Sequence, residues 1–67
     1  MTFDNCVVLA HVAASKGTQR FGQAFFNVMH EVNPDLANEI RGTIHDPFYT
    51  EDFRRLAQCL NYISERW

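Results

Sequence analysis

Cysteine, proline and glycine are scarce in this chain, basic charge is short, and no apolar run is long. The two cysteines among 67 residues, Cys6 and Cys59, can close one bridge at most. That excludes the multi-disulfide framework on which many small secreted domains depend. No stretch approaches the roughly 20 apolar residues of a membrane span, and Met1 is not followed by the basic and then apolar regions of a signal peptide. These features lead us to expect a cytoplasmic protein whose reduced thiols serve as small buried hydrophobes. Six basic residues stand against eight acidic ones, a net charge of −2. This balance argues against a nucleic-acid binder, which normally carries a basic face, although a local patch can coexist with an acidic total. Linkers, low-complexity tracts and internal repeats are absent, so residues 1–67 read as a single small domain.

What the chain has is aromatic mass: six Phe, two Tyr and one Trp. A domain this small buries a modest share of its surface and is marginal in stability. Large rings are one remedy and self-association is another. The breakers Gly17, Asn33-Pro34, Gly42 and Asp46-Pro47 divide the sequence into pieces. Together they predict an all-α, compact bundle of four short helices over about residues 4–16, 19–32, 34–41 and 51–66.

The segment TQRFGQAFFNVMHEV, from Thr18 to Val32, is the expected centre. Phe21, Ala24, Phe25, Val28, Met29 and Val32 follow helical spacing and cover an arc of about 140°. Thr18 suits an N-cap, and Gly22 permits close backbone contact. Phe26 falls about 60° beyond the edge of that arc, with His30 one turn on. In the first piece, Cys6, Val7, Leu9, Ala10, Ala13 and Ala14 share a side, and the small Ala face allows close approach to another helix. Val8 and Val12 fall opposite, and Gly17 suits a left-handed cap. The run CVVLAHVAA does not alternate as a strand would.

The third piece opens with Asn33 as N-cap and Pro34 at the first helical position, and turns Leu36, Ala37 and Ile40 inward. Gly42 closes it. In the connector, Phe48 and Tyr49 are expected to fold back as lids. Thr50 is then expected to cap the last helix. There Phe53, Leu56, Ala57, Leu60, Ile63 and Trp67 mark a stripe about 120° wide, the natural partner of the second helix.

Chemistry-bearing constellations are sparse. His11, His30 and His45 lie in different pieces, and no pair has ligand spacing on one helix. His30-Glu31 begins like a zinc-protease motif, but Pro34 stands where the second histidine is required. No nucleophile elbow or phosphate loop appears, and Glu51-Asp52 is explained by the helix dipole. The expectation is therefore a non-enzymatic protein with no cofactor and no metal. A helix-turn-helix regulator is the alternative. Its recognition helix would present Asp35, Asn38, Glu39 and Arg41, and two of these are carboxylates facing phosphates. The strongest surface signal is on the last helix. Arg55, Tyr62 and Arg66 project about 200°, 180° and 220° from Phe53, opposite the apolar stripe. Arg and Tyr are enriched at protein interfaces, so these three, with Phe26 and His30 as a second patch, are the candidate partner-binding residues. The plainer reading of the first group is a solvated face in which Tyr62 stacks on Arg66.

The residues FGQAFFNVMHEVNPDLANEIRG, followed by DPFYTEDFRRL, resemble a pattern in small open reading frames of bacteriophages and prophages. The pattern comprises Gly22-Gln23-Ala24, Asn27 and Glu31, then Pro34, Leu36, Ala37, Ile40, Arg41, Gly42 and Thr43, then Asp46, Pro47, Phe48 and Tyr49. It covers about two-thirds of the chain, from Arg20 onward, and implies a phage accessory protein without supplying a functional residue. Within it, Arg41 and Asp46 are close enough to pair, or Asp46 caps the turn that follows. The expected partner is a host protein or protein complex, with inhibition of a nucleic-acid-directed defence complex as the outcome. A homodimer is also expected, with Phe26 or the Ala face of the first helix at its contact.

Overall fold

The computed structural model describes residues 1–17 and 19–67. It contains helices α1 (Phe3–Ser15), α2 (Phe21–Val32), α3 (Pro34–Ile40) and α4 (Phe53–Arg66), and no strand among the described residues. The all-α class and the order of the four helices follow the expectation.

Local chemistry sets the boundaries. Thr2 opens α1 by accepting a bond from the Asn5 N–H at 3.1 Å. Gly17, at φ +79°, turns the chain out of α1, a conformation that costs a residue with a Cβ far more. The Thr18 cap falls outside the described residues. Helix α2 begins at Phe21 with Arg20 in the cap position and no side-chain cap bond. Asn33 makes the corner between α2 and α3 from both sides. Its N–H donates to the Met29 carbonyl at 2.7 Å, and its side-chain oxygen accepts from the Leu36 N–H at 3.4 Å. Pro34 fits the first position of α3 because no N–H is needed there. Gly42, at φ +74°, ends that helix as the spacing predicts.

The start of α4 corrects the sequence reading. Asp52, not Thr50, is the cap, accepting from the Arg54 N–H at 2.8 Å. Thr50 belongs to the preceding turn, where its N–H donates to the Pro47 carbonyl at 3.1 Å.

The core is built from Cys6, Ala10, Ala24, Phe25, Phe26, Met29, Leu36, Ala37, Ile40 and Ile63. Phe25 sits at its centre, with Phe3 edge-on at 5.7 Å and Phe21 at 6.2 Å. Trp67 lies edge-on to Phe3 at 5.9 Å, and its indole N–H donates to the Met1 carbonyl at 3.1 Å. The most extensive helix pair is α1 with α2, followed by α2 with α3. The small residues of α1 therefore meet α2, and α4 is not its main partner. Gly22 is buried where the connector crosses α2, and a Cβ there would run into the Pro47 carbonyl.

Several side chains depart from the helical-wheel expectation. Leu9 and Val32 are exposed, and Tyr49 is 81% exposed; of the two expected lids only Phe48 packs inward, edge-on to Phe26 at 5.7 Å. Phe26 is buried, because Phe48 and the Arg41 guanidinium, 5.5 Å from its ring, cover the side that the wheel left open. Phe26 and Ala10 are both buried and Ala13 and Ala14 half-buried, so within one copy these side chains pack inside the fold.

The largest departure is the rotation of α4. Cys59 and Ile63 are its buried residues, Leu56, Leu60, Tyr62 and Trp67 are half-buried, and Ala57 is exposed. Phe53, at the head of the expected stripe, is 82% exposed. The inward face is thus turned about 80° toward Cys59 relative to the stripe, at 100° per residue. The cause lies in the connector. The Cys59 thiol donates to the Ile44 carbonyl at 3.6 Å, and His45 lies flat on Tyr62. The connector covers that flank of α4 and leaves the opposite flank, at Phe53 and Ala57, outward.

Candidate functional site

The connector between α3 and α4 is held by short bonds that follow from its sequence, GTIHDPFYT. The Thr43 hydroxyl donates to the Ile40 carbonyl at 2.6 Å and accepts from the His45 N–H at 3.2 Å. Asp46 spans the turn. One carboxylate oxygen accepts from the Gly42 N–H at 2.8 Å, the other from the Phe48 N–H at 2.9 Å. Bonds from N–H groups to a carboxylate are stronger than neutral ones. Of the two roles open to Asp46, capping is the one realised, while Arg41 lies over Phe26.

This rigid turn delivers His45 onto α4. The His45 and Tyr62 rings are parallel within 7°, with centroids 3.4 Å apart. The Arg66 guanidinium carbon lies 3.6 Å from the Tyr62 centroid. Two groups so close to one centroid must occupy opposite faces, so Tyr62 is sandwiched between an imidazole and a guanidinium. The stack of Tyr62 on Arg66 foreseen from the sequence is present, with His45 added beneath it. A cation over an aromatic face at an exposed site contributes about 0.5–1 kcal/mol. Its larger effect is order, since two long side chains are fixed before any partner arrives.

Around the stack, Ile44, His45, Arg55, Gln58, Tyr62 and Glu65 line a shallow depression of about 430 Å³. Ile44 stands 74% exposed at its edge. Arg55 also borders a second depression, of about 420 Å³, shared with Asp46, Glu51 and Asp52. The structure therefore gathers Arg55, Tyr62 and Arg66 on one surface and adds Ile44 and His45, which sequence reasoning did not place there. The available signal was the Thr43 and Asp46 turn chemistry, which fixes His45 two residues after one anchor and one before the other.

Phe26 and His30 do not join this surface. Their rings stack at 6.2 Å, and they border a separate hollow of about 260 Å³ with Asn27, Arg41, Asp46, Phe48 and Tyr49. Buried Phe26 forms its floor, and exposed His30 is the member of the pair that solvent reaches. The three histidines pair with three different rings, His11 with Phe21 at 4.5 Å, His30 with Phe26 and His45 with Tyr62. On α3, Asp35, Asn38 and Glu39 point outward.

Both thiols are free and buried. Burial pushes the Cys6 thiol up to about 11 from an ordinary value of 9.0. Burial also raises the Cys59 thiol; Arg55 partly opposes this and Asp46 adds to it.

Fold and site together define a small all-α protein with an ordered Arg–Tyr–His surface on its last helix and no membrane-crossing helix among the described residues. No family model, curated protein or solved structure matches the chain.

Proposed function

We propose that this chain is a non-enzymatic interaction module of a phage or mobile element that binds a host protein through the Tyr62 surface. The observation that carries the reading is the sandwich of Tyr62 between His45 and Arg66. Binding hot spots are enriched in Tyr and Arg, and a ring already fixed on both faces loses little freedom when a partner docks. Arg55 adds a second exposed cation, and Ile44 an exposed apolar side chain. The surface suits a partner patch that combines a carboxylate with an apolar or aromatic contact.

The resemblance to phage and prophage reading frames supports the origin. Arg55 and Arg66 suit an acidic patch on the partner rather than a site meant for phosphates, so the contact falls on the protein surface of the target and not in its nucleic-acid groove. A defence complex directed at nucleic acid is the target class we favour.

The test is affinity capture from host lysate with the natural chain and with an Arg55→Glu, Tyr62→Ala variant that keeps its helical circular dichroism. Capture of a specific complex by the natural chain, reduced at least tenfold in the variant, is the expected result. Equal capture by both removes this surface from the account.

A further inference from the structure

The outer face of α1 is apolar and lies away from the Tyr62 surface. Val8 is 59% exposed, Val12 48% and Leu9 42%. At 100° per residue they fall within about 100° of one another, and the core residues Cys6 and Ala10 lie on the far side. The apolar surface continues past His11 into a groove of about 330 Å³ between α1 and α4, lined by Val7, Phe21, Phe53, Leu56 and Leu60 among others. Asp4 and Lys16 are exposed at the two ends of α1. Neither takes part in the one ion pair found among the described residues, between Arg20 and Glu51.

We propose that a second copy of this chain covers this face, the two α1 helices packing antiparallel about a two-fold axis. The charge pattern selects that occupant and that direction. Asp4 and Lys16 lie six residues either side of Ala10, and Val8 and Val12 two residues either side. An axis at the level of Ala10 therefore sets Val8 against Val12 of the second copy and Asp4 against its Lys16, and each contact occurs twice. A parallel arrangement would set Asp4 against Asp4 and Lys16 against Lys16. Antiparallel packing also aligns the helix dipoles favourably, and a self-complementary patch is what a two-fold interface requires. Helix α1 spans 13 residues, so the seam is about 20 Å long. That length places the interface at the small end of the range, so a weak dimer is expected. The Tyr62 surface stays free in both copies, so this inference stands or falls apart from the host-binding reading.

Sedimentation equilibrium of the full chain from about 5 µM to 1 mM tests it. The natural chain is expected to pass from monomer to dimer. Val8→Glu, an exposed substitution that leaves the core intact, is expected to raise Kd at least tenfold. Lys16→Asp is expected to weaken the dimer about three- to tenfold, and Asp4→Lys with Lys16→Asp to restore it, because the swapped charges still meet; circular dichroism confirms folding of each. A monomer at 1 mM overturns the proposal. So does a dimer indifferent to Val8→Glu, or one that the double charge swap fails to rescue.

Discussion

Cys6 lies against α2 with no exposed surface, and burial raises its thiol from 9.0 to about 11. The folded state therefore holds this proton more tightly than the unfolded chain does. The resulting stability is fully present below pH 9 and is lost as pH rises from 9 through about 11. Urea titrations at stepped pH are expected to show the midpoint falling over that window, and Cys6→Ala to flatten the fall. The same burial keeps the thiol unreactive toward alkylating reagents until the chain unfolds. Gly22 carries a second consequence at this scale. Its missing Cβ makes room for the Pro47 carbonyl, so Gly22→Ala displaces the connector. A loss of about 1–3 kcal/mol is expected in urea unfolding, despite the better helix propensity of alanine.

Among the elements, the rotation of α4 decides which of its side chains belong to the core. A stripe facing the core as the wheel places it would make Phe53 a core residue. In the fold, Phe53 is 82% exposed and Ile63 fully buried. Phe53→Ser is expected to change stability by less than about 0.5 kcal/mol, whereas Ile63→Ala is expected to cost about 2–5 kcal/mol. Similar losses at both positions in denaturant unfolding would contradict the rotation.

Much of the helix pattern was legible because its causes are local. Gly17, Asn33-Pro34 and Gly42 end or begin helices through their own backbone chemistry. Leu36, Ala37 and Ile40 face inward because α3 has one apolar side. The rotation was not legible, because it depends on where the connector lies, and that is set by Asp46, Cys59 and His45 acting across the chain. Phe26 was misplaced for the same reason. Its cover comes from Arg41 and Phe48, neither of which belongs to α2. Arg55, Tyr62 and Arg66 were legible as a surface group because they share one side of a single helix. His45 entered that group only through the fold.

At the scale of the whole molecule, the connector divides the labour. Where it covers α4 it orders Tyr62 between His45 and Arg66. Where it leaves α4 bare, the groove beside α1 opens. One face is proposed to meet a host protein and the other a second copy of the chain. The two are separable, since Val8→Glu touches only the second and Tyr62→Ala only the first. The central claim is that the ordered Tyr62 surface binds the partner, and titration of the captured host complex against natural chain, Tyr62→Ala and Val8→Glu tests it most directly. The account predicts that Tyr62→Ala weakens binding at least tenfold, about 1.4 kcal/mol or more, and that Val8→Glu leaves the affinity of each protomer unchanged. An affinity untouched by Tyr62→Ala, in a variant shown to be folded, would contradict it.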